Sequence, residues 1–459
     1  MRKLLFIFLL FFSAILAGGI FWAVYQYTSW RPILVKEAVE KMDESKKKVD
    51  LFQSLYSQPL TLLVLFLNNT ELRPAGGFIG SYAVVKMENG RTELLQVQGT
   101  EILDNMAPSF VSAPPDALRT YLGIDKWSFR DSNWSPDFAI SAQKALELYK
   151  KEKGLSAEEI DAVIGFTPTV VENLLRLTGP ISANGEEFNA DNFTEKLEYE
   201  VEYGFADRGI SFSDRKKMLA DLAGALLARL KDEAWKQGTA YWQLGNRMLA
   251  EKQIVAYALN PEWQQMFSDE EWSGEMRKTT GDYWQWVDAN LGALKTDAVM
   301  ERNLDFAIKP IEGGYAARVT MRYTHGGKLD WRTSRYRTYA RLYTPSGSKL
   351  IKAEGQFKNA LGVEGAYDQG EENGRQWFGA FTVVEPGKSG ALTFEYELAP
   401  KVIEQVVLGS YNLLVQKQIG TLAPKLTLGL DFGKKLLSGN DRYEAILDLN
   451  EDREIKLKF

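Results

Sequence analysis

The pattern of apolar and polar positions divides the chain into two stretches with different periodicities. Leu60 to Leu67 is an unbroken apolar run that ends at the polar pair Asn68-Asn69, which predicts a strand buried on both faces that leads into a loop. Ile160 to Phe166 predicts a second buried strand, and Pro168 to Leu177 predicts a helix that follows it. This order of elements is typical of an α/β domain, which we assign to residues 59–294.

Other patterns in this stretch predict a hairpin and further helices. Tyr82 to Lys86 and Glu93 to Val97 alternate like strands on either side of Asn89-Gly90, and Asn-Gly is a strong hairpin signal. Helical spacing recurs from Tyr241 to about Leu259 and again from Gly281 to Asn290. We therefore expect helical additions to the α/β domain before residue 295.

After about residue 295 the pattern changes to short alternating strands separated by turns. Ala316 to Tyr323, Tyr336 to Tyr343 and Leu392 to Leu398 are such strands, and Gly326-Gly327 is one of the turns. The pattern predicts an all-β, sandwich-like domain over residues 295–459. It contains no recognisable catalytic constellation.

The N-terminal segment predicts attachment to a membrane. Leu4 to Tyr25 is uncharged and apolar, long enough at about 1.5 Å per residue to cross a hydrocarbon core of about 30 Å. Arg2-Lys3 would keep the N-terminus in the cytoplasm. We therefore expect a single-pass anchor at residues 1–30 in the cytoplasmic membrane, a juxtamembrane helix at 31–58, and an extracytoplasmic remainder. A signal peptide cleaved near Ala17-Gly18-Gly19 is the alternative, and it exports the same domains.

Composition excludes several kinds of chemistry. The chain has no cysteine and a single histidine, His325, so thiol catalysis, disulfides, cysteine zinc sites and iron–sulfur clusters are excluded, and we expect no haem. His325 lies in a Gly-rich turn, where we expect it to be exposed. The net charge of -6 argues against nucleic acid as a partner. The remaining candidates are carboxylates, arginines, lysines, tyrosines and a hard cation held by oxygen atoms.

A polar loop after the first strand is the first candidate site. Glu71 and Arg73 lie there beside Gly76 and Gly77, and glycines let a ligand approach the backbone closely. A dinucleotide site would need a helix next, but Phe78 to Val85 alternates like a strand. The loop is then either an anion site or a turn in which Arg73 pairs with Glu71 or another carboxylate. The candidate substrate-binding residues here are Asn68, Asn69, Glu71, Gly76 and Gly77.

A second polar cluster follows in the stretch FRDSNWSPDF, which spans residues 129–138. Asp137 is well placed to cap the next helix, and that role is sufficient to explain it. Capping does not explain Arg130, Asp131 or Asn133. These three side chains would supply a charge clamp and a cation ligand.

Several of these stretches together resemble one bacterial family. They are NNTELRPAGGFIGSY, FRDSNWSPDF, DAVIGFTPTVVENLLRLTGPI, VDANLGALKTD and YARLYTPSGSKL. The chain resembles the domain-of-unknown-function family 4012, uncharacterised membrane-anchored envelope proteins. That resemblance implies a bacterial envelope location and no established activity.

The order of elements is also similar to the LytR-CpsA-Psr family, whose members transfer glycopolymers from polyprenyl-pyrophosphate carriers to the cell wall. This resemblance implies that Arg73 and Arg215 grip a pyrophosphate. It also implies that Asp131, with Arg130, serves Mg²⁺ and phosphate, and that Asp131 is a metal ligand. The partner would then be a lipid-linked glycan or a cell-wall polymer, and the activity a Mg²⁺-dependent glycopolymer phosphotransferase.

The chain departs from that family at several phosphate-binding positions. Asn68-Asn69 replaces the first aspartate, Gln96 to Thr100 lacks an arginine-aspartate pair, and Glu200 and Glu202 replace arginines. Each arginine lost removes charge-assisted hydrogen bonds to phosphate. Two functions are therefore favoured: LytR-CpsA-Psr-like binding or transfer of a lipid-linked or phosphorylated glycopolymer, or non-catalytic binding of a protein or glycan partner. Internal pairing of the candidate arginines would favour the second. A peptidase or glycosidase that uses paired carboxylates also stays open, although no residue points to it.

Overall fold

The computed structural model describes residues 59–88, 91–107, 112–183, 185–211, 217–359 and 363–459. The predicted anchor at 1–30 and the predicted juxtamembrane helix at 31–58 lie outside these residues. Within the described ranges, no helix is both long and apolar enough to cross a membrane. Among the described residues, contacts divide the chain into an α/β unit, formed from residues 59–67, 79–107 and 142–274, and a β unit, formed from residues 68–78, 112–141 and 275–459. The predicted division at residue 295 stays a prediction.

The α/β unit contains a five-stranded mixed sheet in the order β3-β2-β1-β4-β7 and a small hairpin, β5-β6. Its strands are β1 (Leu60–Asn68), β2 (Phe78–Glu88), β3 (Arg91–Gly99), β4 (Ala162–Phe166), β5 (Ile181–Ala183), β6 (Glu186–Phe188) and β7 (Ile254–Ala258). Its helices of seven or more residues are α1 (Thr100–Met106), α2 (Phe138–Lys151), α3 (Pro168–Thr178), α4 (Phe193–Tyr199), α5 (Lys217–Ala250) and α6 (Pro261–Asp269). Strands β1 and β4 are parallel, whereas β4 and β7 are antiparallel.

Helices cover both faces of this sheet, which explains the unbroken apolar run in β1. Leu62 and Val64 share a core with residues of α3, α5 and α6. On the other face Tyr82 of β2 packs against Tyr149 of α2, with ring centroids 5.4 Å apart. Leu63 is also fully buried. A strand buried on both sides needs apolar residues at every position, as predicted.

Two helical predictions are wrong. The predicted helix from Tyr241 to Leu259 ends at Ala250, and β7 follows it. The second predicted helix, Gly281 to Asn290, is instead a strand, β8 (Asp282–Asn290), in which all nine residues are buried. Asp282, Gln285 and Asp288 recur at helical spacing, but each is paired inside the fold. Hydrogen bonds to distant parts of the fold therefore favour a strand over a helix in this segment.

The β unit consists of two six-stranded sheets that share one hydrophobic core, in agreement with the predicted all-β pattern. One sheet has the order β12-β15-β10-β9-β17-β18, and the other has the order β13-β14-β11-β8-β16-β19. The strands after β8 are β9 (Met300–Ile311), β10 (Gly314–His325), β11 (Tyr336–Pro345), β12 (Lys349–Glu354), β13 (Asp368–Glu372), β14 (Arg375–Val384), β15 (Ser389–Glu397), β16 (Ser410–Val415), β17 (Lys425–Leu430), β18 (Tyr443–Asp448) and β19 (Arg453–Lys458). One helix, α7 (Pro400–Val407), precedes β16.

His325 is buried, so its predicted exposure is wrong. Only 1% of the residue is exposed. Nδ1 accepts a hydrogen bond from the Gly327 amide at 3.1 Å, and Nε2 lies 2.8 Å from the Ser334 carbonyl oxygen. Both ring nitrogens therefore hold the turn after β10 in place.

Candidate functional site

The loop that follows β1 has a compact backbone in which glycine is required at one position. A Cβ on Gly77 would lie 2.3 Å from the carbonyl carbon of Asn68, closer than any side chain tolerates. The Phe78 amide donates to the Glu71 carbonyl oxygen at 2.8 Å. Asn68 Oδ1 accepts from the amide and the hydroxyl of Thr70 at 3.1 and 2.7 Å. Hydrogen bonds within the loop therefore hold its conformation.

Arg73 lies at the centre of this loop and is 2% exposed. Its Nε donates to Asp131 Oδ1 at 3.2 Å, and its Nη2 donates to Glu71 Oε1 at 3.3 Å. Its Nη1 donates to the Asn290 carbonyl oxygen at 2.6 Å. The guanidinium also lies 5.2 Å from the Phe78 ring centroid. Each nitrogen of the guanidinium therefore has an acceptor within the protein.

The charges around Arg73 depend on one another. Burial acts to lower the pKa of Arg73, but attraction to Asp131 and Glu71 outweighs it, so the pKa is raised. Burial raises the pKa of Glu71, partly offset by Arg73 and Lys295. Burial of a charge is tolerated only where partners compensate for lost hydration. Loss of Arg73 would leave the buried Asp131 and the partly buried Glu71 without this compensation.

The second predicted cluster packs against the same loop. Asp131 ends a 3₁₀ turn and is buried, which places its carboxylate on Arg73. Asn133 Nδ2 donates to the Gly77 carbonyl oxygen at 2.7 Å, and the Asn133 carbonyl accepts from the Ala75 amide at 3.2 Å. The structure therefore brings together the two stretches that the sequence singled out.

The other predicted site residues occupy varied positions. Asn69 Nδ2 donates to the Gly420 carbonyl oxygen at 3.0 Å. Gly76 has a φ of 117°, which favours glycine. Arg130 is half-buried next to Asp131, and Arg215 lies outside the described residues.

Metal binding at Asp131 stays a prediction. In the part of the chain that the structure describes, no three histidine, cysteine, aspartate or glutamate side chains are grouped to hold a metal ion. The Oδ1 atom of Asp131 accepts a hydrogen bond from Arg73.

A second buried ion cluster, which the sequence did not reveal, holds the loop after β1 through the Leu72 amide. Asp297 Oδ2 accepts from the Leu72 amide at 3.0 Å and from Asn290 Nδ2 at 2.8 Å. Arg302 Nε donates to Asp288 Oδ2 at 3.1 Å, and its Nη2 donates to Asp297. Three of these residues belong to VDANLGALKTD, so that quoted stretch was the available signal.

An aromatic surface on the outer side of the second sheet was also missed. We define it by Tyr121, Trp134, Tyr339 and Phe381. The Tyr121 and Phe381 rings are parallel with centroids 4.2 Å apart, and Tyr339 lies 5.7 Å from Tyr121 and 6.2 Å from Trp134. Tyr121 and Trp134 are half-buried, whereas Tyr339 and Phe381 are buried.

Polar side chains border this aromatic surface. Arg341 lies 4.7 Å from the Trp134 ring centroid, and its Nη1 donates to Glu372 Oε2 at 3.3 Å. The Tyr339 hydroxyl donates to Asp368 Oδ2 at 2.8 Å. Tyr339 and Arg341 belong to YARLYTPSGSKL and Trp134 to FRDSNWSPDF. Aromatic rings bordered by carboxylates can contact a ligand in two ways: the rings pack against its apolar groups, and the carboxylates accept hydrogen bonds from its hydroxyl groups.

Comparisons with known proteins give one family match, and it covers part of the chain. No curated protein matches the chain. Among solved structures, the Lin1025 protein from Listeria innocua is 13% identical over 48% of this chain and 80% of its own, with a TM-score of 0.24. The M1 zinc metallopeptidase from Deinococcus radiodurans is 12% identical over 32% and 38%, with a TM-score of 0.17. Neither likeness is strong enough to indicate a shared fold or function. Residues 57–201 match the family described as "Protein of unknown function (DUF4012)", and over that stretch the chain is therefore similar to an uncharacterised family.

Proposed function

We propose that this chain is a non-catalytic cell-envelope protein, anchored in the cytoplasmic membrane by residues 1–30, whose extracytoplasmic β unit binds a glycan. The internal pairing of Arg73 supports this proposal over phosphoryl transfer. An arginine that grips a pyrophosphate must direct its N–H groups at the ligand. In this chain they are directed at Asp131, Glu71 and the Asn290 carbonyl oxygen.

The aromatic surface supports a glycan as the ligand class. Tyr339 and Phe381 belong to a buried apolar cluster, and the half-buried Tyr121 and Trp134 rings pack against it and are the ones accessible to a ligand. A sugar offers an apolar ring face to an aromatic side chain and hydroxyl groups to acceptors such as the exposed Asp368. Rigid aromatic side chains lose little conformational entropy on binding. The surface thus offers both kinds of contact that a sugar needs.

LytR-CpsA-Psr-like binding or transfer of a lipid-linked or phosphorylated glycopolymer is the second candidate. One observation favours it: Arg73, Asp131 and Asn133 lie together beside Gly77. Phosphoryl transfer needs mainly positioned charge and Mg²⁺. This function would require Arg73 to leave its present partners.

Titration of the purified full-length chain with cell-wall glycan fragments tests the proposal. We expect saturable binding that Tyr121→Ala abolishes. Tyr203→Ala is the matched control, because this tyrosine is 47% exposed and belongs to the α/β unit. Unchanged glycan affinity in Tyr121→Ala would exclude the aromatic surface as the site.

A parallel titration with a short-chain polyprenyl pyrophosphate, with and without Mg²⁺, separates the two functions. The proposed function predicts no saturable binding of this compound. Mg²⁺-dependent saturation by a folded chain would instead support the phosphotransferase-like function.

A further inference from the structure

One corner of the β unit carries three strongly exposed aliphatic side chains. Val407 is 67% exposed, Leu408 is 78% exposed and Leu437 is 74% exposed. Isolated exposed aliphatic residues are common, but a group of them at one place marks an interaction site.

Three segments of chain bring these residues together. The Phe459 amide donates to the Gly409 carbonyl oxygen at 3.0 Å, which joins the chain after β19 to the end of α7. The Leu437 amide donates to the Lys458 carbonyl oxygen at 2.9 Å. Lys434 Nζ donates to the Val406 carbonyl oxygen at 2.7 Å. The end of α7, the turn at Leu437 and the end of β19 therefore form one surface.

On these segments, residues 400–409, 431–442 and 458–459, basic residues outnumber acidic residues. The basic residues are Lys401, Lys434, Lys435, Arg442 and Lys458, and the acidic residues are Glu404, Asp431 and Asp441. We name the surface formed by Val407, Leu408, Leu437 and these four lysines the basic apolar patch. Its excess of positive charge is local, because the whole chain has a net charge of -6.

We propose that the basic apolar patch docks on the surface of a bilayer that contains anionic phospholipid. Leu408 and Leu437 lie in turns, just after a helix and between two strands, so they project rather than line a groove. Projecting aliphatic side chains insert between lipid headgroups, while flanking lysines pair with lipid phosphates. Lysine stems also cover apolar surface with the ammonium group at the interface. This contact is distinct from the predicted N-terminal anchor and from the proposed glycan surface.

The lack of cysteine provides a specific test. Leu437→Cys introduces a unique thiol into the full-length chain for an environment-sensitive fluorophore. Leu329→Cys is the matched control, because Leu329 is 69% exposed and follows the far end of β10. The turn before β10 lies near the patch, since Ile403 of α7 approaches Gly314. The twelve residues of β10 at about 3.4 Å each then separate the two probes by about 40 Å.

Both labelled chains would be reconstituted into vesicles of phosphatidylcholine alone or equimolar phosphatidylcholine and phosphatidylglycerol. We expect a quencher carried by the lipid acyl chains to quench the Leu437 probe several-fold more than the Leu329 probe, only in the anionic vesicles. Lys435→Glu with Lys458→Glu should reduce quenching to the Leu329 level, with an unchanged melting temperature.

Equal quenching of the two probes, or equal quenching of the Leu437 probe in neutral vesicles, would overturn the proposal. A change in the Leu437 probe that depends on protein concentration without lipid would also overturn it, because it would identify a second copy of this chain as the occupant.

Discussion

Replacement of Arg73 by alanine should destabilise the β unit far more than loss of an exposed arginine. The substitution removes the donor to Asp131, Glu71 and the Asn290 carbonyl oxygen. It leaves the Asp131 carboxylate, 5% exposed, without its cation. Removal of one partner from a buried ion pair costs about 3–5 kcal/mol. We therefore expect a loss of about 4 kcal/mol in the free energy of unfolding of the β unit.

Urea unfolding followed by tryptophan fluorescence measures this loss, and a melting curve should show a decrease of about 10 °C. Arg322→Ala is the matched control: Arg322 also pairs with an aspartate, Asp305, at 2.7 Å, but its side chain is 62% exposed. An exposed pair is worth less than about 1 kcal/mol. Equal losses in the two variants would refute the conclusion that Arg73 is a structural residue. Normal stability of Arg73→Ala together with lost ligand binding would point instead to a binding role.

Three further predictions concern other positions. Gly77→Ala should lower the free energy of unfolding, measured in urea, by about 3 kcal/mol, because the added Cβ would clash with the backbone of Asn68. Gly238→Ala is the control: Gly238 lies on a helix with open space around it, so the change should be neutral or stabilising. Similar losses in the two variants would contradict this prediction. Burial raises the pKa of Asp282 to about 6, so the folded state retains a proton that the unfolded state loses above about pH 4. The contribution of Asp282 to the free energy of unfolding should therefore fall by about 3 kcal/mol between pH 4 and pH 6. Asp282→Asn should flatten the dependence of the urea midpoint on pH in that range. His325→Ala should lower the free energy of unfolding by about 2 kcal/mol because two buried hydrogen bonds are lost, and a change below about 0.5 kcal/mol would show that the turn does not depend on the ring.

Local patterns were sufficient to predict the strands and helices whose environment is uniform. β1 is apolar throughout because both faces are covered, and α3 begins at Pro168 and ends before Gly179, whose φ is 78°. These signals act within a few residues. They required no knowledge of distant partners.

Strand β8 shows why similar reasoning failed elsewhere. Its polar residues resemble the polar side of a helix, yet Asp282 accepts from the Tyr411 hydroxyl and Asp288 from the Tyr323 hydroxyl. These partners are 129 and 35 residues away in the chain. Burial of a polar side chain depends on such partners, and periodicity within one segment does not contain them.

In the candidate site, too, contacts between residues close in the sequence could be predicted, and contacts between distant residues could not. Glu71 and Arg73 are two residues apart, so their pairing was one of the two interpretations of the sequence. Asp131 is 58 residues from Arg73, and Asn290 is 217 residues away, and only the fold brings them together. The aromatic surface depends on equally distant contacts, such as that between Arg341 and the Trp134 carbonyl oxygen.

The two buried ion clusters meet at the loop that contains Arg73, and this arrangement favours a structural role for its charges. Asp297 binds the Leu72 amide on one side and Arg302 on the other. Asn290 accepts from Arg73 through its carbonyl and donates to Asp297 through its side chain. A displacement of Arg73 toward a ligand would therefore leave buried acceptors in both clusters without donors, at a cost for each. Ligand binding would have to exceed that cost, whereas the aromatic surface can bind without breaking an ion pair.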